Sequence, residues 1–147
     1  MNKASTLAAF SVLLLTACSS GIVPPPPPPA ASSSSAISSV SSSSDISVSQ
    51  PLPNTQVTSP LTVSGEARGS WYFEASFPVR LLDGNGLEIA VTPATALSDW
   101  MTTNFVPYTA TLTFATPATA TGLLILEKDN PSGLSQNSGS IVIPVQF

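Results

Sequence analysis

Histidine is absent from the 147 residues, cysteine occurs once, and only four residues are basic. Each shortage closes a class of function. Without histidine the chain lacks the commonest general base and the commonest transition-metal ligand. A single cysteine, Cys18, forms neither an internal disulfide nor a thiolate metal cluster. Four cations against eight carboxylates, a net charge of −4, exclude an electrostatic nucleic-acid binder, which needs clustered Lys and Arg to neutralise phosphates. Charged residues are 8% of the chain, against roughly 25% in an ordinary soluble domain. Serine and proline fill the gap, and they are concentrated before residue 54.

The N-terminus reads as a targeting segment. Lys3 supplies one positive charge, and Leu7 to Leu15 is a short apolar run followed by small residues, as in a secretory signal peptide. The run is far shorter than the ~18–20 residues that span a bilayer as a helix. Residues 1–17 are therefore expected to be a signal peptide. The next feature sharpens this. Leu15-Thr16-Ala17-Cys18 resembles the bacterial lipoprotein lipobox, in which cleavage falls just before the cysteine. The resemblance implies that Cys18 becomes the mature N-terminus, with a diacylglyceryl thioether on sulfur and usually an acyl chain on nitrogen. Two or three acyl chains anchor a protein stably, at ~0.8 kcal/mol per buried methylene, where one chain holds it weakly. Ser19 follows, a pattern that in two-membrane bacteria resembles outer-membrane-sorted lipoproteins. Loss of Lys3 with the signal moves the side-chain charge from −4 to −5.

Residues 18–49 read as a lipidated cysteine followed by a disordered linker. Pro24 to Pro29 form one block, and serine runs occupy Ser32–Ser35 and Ser41–Ser44. Ile37, Val40, Ile46 and Val48 are isolated apolar residues without a sustained period. Such a segment cannot offset the entropy of ordering itself. The proline block is expected as a polyproline II rod about 19 Å long, and the serine tract as a flexible coil. Together they make a spacer between membrane and domain.

From residue 50 to 147 the pattern is that of half-buried strands. Leu61, Val63, Gly65 and Ala67 alternate with polar residues. Trp71, Phe73, Ala75, Phe77, Val79 and Leu81 continue the same period. Leu87, Ile89 and Val91 form a shorter run, and Tyr108, Ala110, Leu112 and Phe114 alternate with threonines. Leu123 to Leu126 is continuously apolar, as in a central strand, and Ile141, Ile143, Val145 and Phe147 follow near the end. Asp83-Gly84-Asn85-Gly86 predicts a hairpin turn, because Gly and Asn accept positive φ. Pro78 and Pro144 cannot donate to a ladder and predict bulges or sheet edges. The fold class is all-β: an immunoglobulin-like antiparallel β-sandwich of about seven strands in about a hundred residues. Its core must rest on aliphatic and aromatic packing alone, which this size allows.

The residues also carry a resemblance. Ser59-Pro60-Leu61-Thr62-Val63-Ser64-Gly65-Glu66-Ala67, then Trp71 to Val79, Asp99-Trp100-Met101, Phe105-Val106-Pro107-Tyr108, Asp129 to Gly133 and Ile143-Pro144-Val145 look like the bacterial spore-germination immunoglobulin-like domain. The similarity spans roughly residues 46 to 147. It implies an extracytoplasmic sandwich and supplies no catalytic residues. The Pro/Ser tether suits a general cell-surface lipoprotein.

Several residues are candidates for a site. Glu66 and Glu74 sit on the nominal outer faces of their strands. A hairpin through Gly69-Ser70 would set them opposite each other, a destabilising pairing unless Arg68, Arg80 or a bound cation compensates. Calcium ligation or a glycosidase-like carboxylate pair would then follow. In an immunoglobulin topology the two strands lie in different sheets and the glutamates do not meet. Asp83, Asn85 and Glu88 lack the spacing of a calcium loop and read as turn chemistry, as do Asp129 and Asn130 before Pro131. Among the aromatics, Trp71 and Tyr108 fall in inward registers. Tyr72 points outward by alternation and is the better candidate for an exposed ligand contact; Trp100, in a short connection after Asp99, is either a second contact or a loop plug for one end of the sandwich. No Gly-x-Ser-x-Gly elbow is present, and Lys128 reads as a surface residue. The combined expectation is a non-enzymatic, cofactor-free, metal-free module, held to the membrane by an N-terminal lipid anchor on the extracytoplasmic side. Its partner would be an envelope protein, or alternatively a carbohydrate or peptidoglycan bound by exposed aromatics.

Overall fold

The computed structural model describes residues 43–147. The signal peptide, Cys18 and most of the expected linker therefore lie outside the described residues. Seven strands run in chain order: β1 (Ile46–Gln50), β2 (Leu61–Arg68), β3 (Ser76–Asp83), β4 (Glu88–Ala96), β5 (Phe105–Leu112), β6 (Thr121–Glu127) and β7 (Ser140–Gln146). They are hydrogen-bonded in the order β1-β2-β5-β4-β3-β6-β7, and every ladder is antiparallel.

This continuous order folds into two facing layers. β4 pairs with β3 from Glu88 to Thr95 but touches β5 only at Thr95↔Thr109 and Ala96↔Tyr108. The sheet therefore turns at the end of β4. One layer is β1-β2-β5 and the other is β4-β3-β6-β7. Phe77 of β3 and Tyr108 of β5 are not ladder neighbours, yet their rings meet edge to face with centroids 5.0 Å apart. The opposite margin is closed by the β1–β2 connection. Asn54 N–H donates to the Pro144 carbonyl (2.7 Å), Gln146 N–H to Thr55 (3.0 Å), and Val57 N–H to Gln146 (2.8 Å). The edge of β7 is thus covered, which blunts an otherwise open template for strand pairing.

Alternation puts the expected residues inside. Val63 and Ala67 of β2, Phe77, Val79 and Leu81 of β3, Leu124 and Leu126 of β6, and Ile143 of β7 are buried. Phe77 is the hub of the aromatic packing, with Trp71 at 5.9 Å and Tyr72 at 5.2 Å, both edge to face. Such pairs add about 0.5–1.5 kcal/mol beyond area burial.

Three expectations need correction. First, the linker does not extend to residue 49. Ile46 and Val48 are fully buried in β1, and Ser47 and Ser49, which alternate with them, occupy the solvent side of a period-two strand. Second, the strand expected from Trp71 to Leu81 starts only at Ser76. Gly69–Trp71 is a single 3-10 turn. Phe73 and Ser76 then exchange backbone hydrogen bonds around Glu74 and Ala75, which both have positive φ, at 50° and 62°. Third, the short Leu87–Val91 strand is instead the nine-residue β4, and Leu87 and Val91 face solvent.

Candidate functional site

The strand order decides the fate of the two glutamates. β2 pairs with β1 and β5, while β3 pairs with β4 and β6. Glu66 is flanked across the ladders by Ser47 and Pro107, and Glu74 sits in the turn before β3. They are not cross-strand partners: the immunoglobulin alternative holds, with the two strands in different layers, and no hairpin forms through Gly69-Ser70. Among the described residues, no three His, Cys, Asp or Glu side chains come together as a metal site would need. The two arginines expected to neutralise that pair are engaged elsewhere. Arg68 lies 3.3 Å from Asp45 and stacks over Phe105 at 4.6 Å.

Arg80 organises the other layer. Its Nε donates to Glu127 at 2.8 Å and its Nη1 to Glu88 at 2.6 Å. These two charged bonds raise the guanidinium pKa further above its ordinary value. The triad holds two carboxylates against one cation, a net charge of −1. Around it lies apolar surface. Register places Val91, Arg80, Ile125 and Val142 in one row across the outer face of β4-β3-β6-β7, and Leu82, Leu123 and Pro144 in the next. Val91, Leu123 and Val142 are exposed. The continuous apolar run of β6 is therefore two-sided: Leu124 and Leu126 enter the core, and Leu123 and Ile125 are left on the outer sheet face. An exposed apolar face around a polar centre is a recognition surface in form. Sequence reasoning assigned the whole run to a buried central strand and missed it. Within β6 the alternation separates Leu123 and Ile125 from Leu124 and Leu126, but only the inter-strand register joins them to Arg80 and Val142.

The aromatic platform takes a different form from the one expected. Tyr72 is buried, not exposed, and its hydroxyl donates to the Val106 carbonyl at 2.7 Å. Burial pushes its phenol up to about 12, over the opposing effect of a backbone hydrogen bond at Ala67 and with a lesser push from the nearby Glu66 charge. Tyr108 is buried as expected, and burial raises its phenol still further. Trp71 is buried, while Trp100 is half-buried and packs on the core. A sugar platform of Tyr72 and Trp100 is therefore not formed. Among the described residues the exposed aromatics are Phe73 and Phe105.

Glu88 belongs to β4 and pairs with Arg80 instead of shaping the turn, while the other turn candidates serve their loops. Asp83 Oδ1 accepts from the N–H groups of Asn85 and Leu87, both at 2.9 Å, and Gly86 has φ 82°. Asn130 donates to the Leu134 carbonyl (2.8 Å) and to Ser138 Oγ (3.0 Å), and accepts from Ser132 Oγ (2.6 Å). These groups are spent on holding the loop.

A family model described as the immunoglobulin-like domain of bacterial spore germination matches residues 45–135, more than half of the chain. The chain belongs to that family. No curated protein and no solved structure matches it. The match begins at Asp45, immediately before β1, so this spore-germination immunoglobulin-like domain includes the strand that composition had placed in the linker. It extends past β6, and β7 completes the outer layer next to it.

Proposed function

We propose that the protein is a non-enzymatic, lipid-anchored immunoglobulin-like module on the extracytoplasmic side of a bacterial membrane, the outer membrane where there are two. Its role is to dock an envelope protein on the outer face of β4-β3-β6-β7. The observation that carries this reading is the row Val91, Ile125 and Val142 set around Arg80 and its two glutamates. A soluble domain rarely leaves such an apolar surface uncovered unless it binds there. The excess carboxylate selects the partner: apolar side chains arranged around a lysine or arginine. Charge of this kind sets specificity and encounter rate more than raw affinity. The lipobox at Leu15–Cys18 supports the anchor, and the lack of histidine supports a non-catalytic role.

Photocrosslinking from position 142 on intact cells tests the docking face. An envelope protein trapped there, and lost in Glu127→Lys with an unchanged melting temperature, is the expected result. Retention on peptidoglycan without any crosslink would replace the reading with the glycan alternative. Cys18→Ser tests the anchor separately: it should release the protein from the membrane fraction, and continued anchorage would sink that part.

A further inference from the structure

The chain enters the domain at one end of the sandwich, and that end carries exposed apolar residues on three separate connections. Asp45 precedes β1 and is held to the end of β2, where Arg68 N–H donates to its carbonyl at 2.8 Å. The β2–β3, β4–β5 and β6–β7 connections meet at the same end. Gly69 N–H donates to Asn104 (3.2 Å), Ala96 N–H to Ala75 (2.9 Å), and Asp129 N–H to Trp71 (3.0 Å). The first connection exposes Phe73, the third exposes Leu134, and the β4–β5 connection with its flank exposes Leu97, Met101 and Phe105. Met101 is the most exposed large apolar side chain among the described residues, at 77%. The opposite end offers only Leu87 in the β3–β4 hairpin.

These tips are held outward by the fold. The carbonyls of Trp100 and Thr102 press so closely on Gly69 that a Cβ there would collide with both. The β4–β5 connection is therefore seated on the domain, and Met101 is presented from it. Glu74 and Ala75 keep positive φ although neither is Gly or Asn, a conformation costing of order 1–3 kcal/mol each that persists only where the surroundings impose it. It fixes the turn that sets Phe73 at the surface.

We propose that this end seats itself in the headgroup boundary of the membrane to which the chain is tethered, with Leu97 and Met101 as its main contacts. The inference rests on the lipid-anchored reading above. Position 43 lies 25 residues beyond Cys18, so the apolar end stays within about 90 Å of the anchored sulfur even at full extension. Tethering makes the contact intramolecular, so side chains too few to bind a bilayer from solution suffice. Local charge is no substitute. Asp45, Glu74, Asp99 and Asp129 outnumber Arg68 and Lys128, so the contact is apolar and insensitive to salt, unlike a polybasic one. Trp100, half-buried in the same connection, is the amphipathic ring expected at such a boundary.

The chain's single cysteine and two tryptophans make the test direct. The mature chain, beginning at Cys18, is coupled through that cysteine to a maleimide headgroup lipid in phosphatidylethanolamine/phosphatidylglycerol vesicles with brominated acyl chains. Trp71 is buried in the core, so quenching reports Trp100. The expected result is loss of Trp100 emission at low and high salt, absent in Trp100→Phe. It should also be absent in the double variant Leu97→Asp/Met101→Asp and retained in Leu87→Asp. Quenching no greater than in Trp100→Phe overturns the proposal, as does quenching that vanishes with salt. Because the coupling is chemical, this outcome is independent of biological acylation; failure of the anchor reading shows only in the fractionation of Cys18→Ser.

Discussion

Tyr108 faces Gly65 across the β2–β5 ladder, and its hydroxyl passes over the glycine to donate to the Ser47 carbonyl of β1 at 3.0 Å. One phenol thereby joins three strands. The path is open because residue 65 has no side chain: a Cβ there would lie 2.6 Å from the hydroxyl and closer still to the Ser47 carbonyl. Gly65→Ala is expected to lower the melting temperature by well over 10 °C, since the clash with backbone cannot be relieved by a rotamer change. Tyr108→Phe loses one hydrogen bond, about 1 kcal/mol or 4–8 °C in a domain of this size. Adding Tyr108→Phe to Gly65→Ala should restore little, because the Ser47 carbonyl remains. Thermal unfolding followed by circular dichroism separates these outcomes.

Phe77 carries the contact between layers, touching Trp71, Tyr72 and Tyr108. Phe77→Ala should cost about 3–5 kcal/mol, the range for a buried aromatic truncation. Phe105→Ala, exposed at the tether end, should change stability by no more than about 0.5 kcal/mol. Urea titration of both variants tests the contrast; equal effects would mean that the layers are not joined through Phe77.

The two tyrosines predict alkaline behaviour. A phenol whose folded pKa is raised favours the protonated state in the fold. Its contribution is fully present below the unfolded value of about 10 and is lost as pH rises toward the folded value. For Tyr72 that window runs from about 10 to about 12, and Tyr108 extends it upward. Ultraviolet difference absorbance should show no phenolate at pH 10 in the native protein, with loss of stability above it. With no histidine, no side chain of ordinary pKa titrates near neutrality.

Asp83 is the one buried charged side chain among the described residues. Its Oδ1 holds two N–H groups of the β3–β4 turn. Asp83→Ala should destabilise by about 1–3 kcal/mol, the range for losing hydrogen bonds to a charged acceptor, whereas Asp83→Asn keeps an acceptor and should cost less. Melting curves of the pair provide the check.

Arg80→Met should alter stability by no more than about 1 kcal/mol, because the triad is partly exposed. The same change removes the centre of the proposed docking face, so crosslinking from position 142 should fall. Loss of folding instead would assign Arg80 a structural role.

Much of the fold was legible wherever parity and burial coincide. Leu61, Val63 and Ala67 alternate into the core as read. The reading failed where a pattern of two arose from something other than a strand. Trp71, Phe73 and Ala75 keep the period, but a 3-10 turn and a tight turn intervene, and positive φ at Glu74 and Ala75 has no Gly or Asn to announce it. Tyr72 consequently swings inward. Ile46 and Val48 failed in the opposite way: their alternation was present but buried among serines. The outer face was hidden because continuity in β6 says nothing about which layer covers each side. Only the pairing of Ile125 with Arg80 and Val142 does.

The covered edge at Asn54–Val57 has a mechanical consequence. In the anchored and docked state proposed above, pull on the domain would be transmitted through the chain entering β1. The load first meets the β1–β2 ladder, Ile46 to Gln50 against Ser64 to Ala67, whose bonds lie across the strand direction and so resist together in shear. The next segment is hydrogen-bonded to β7. Traction on the tether is therefore shared between both layers instead of peeling away the first strand.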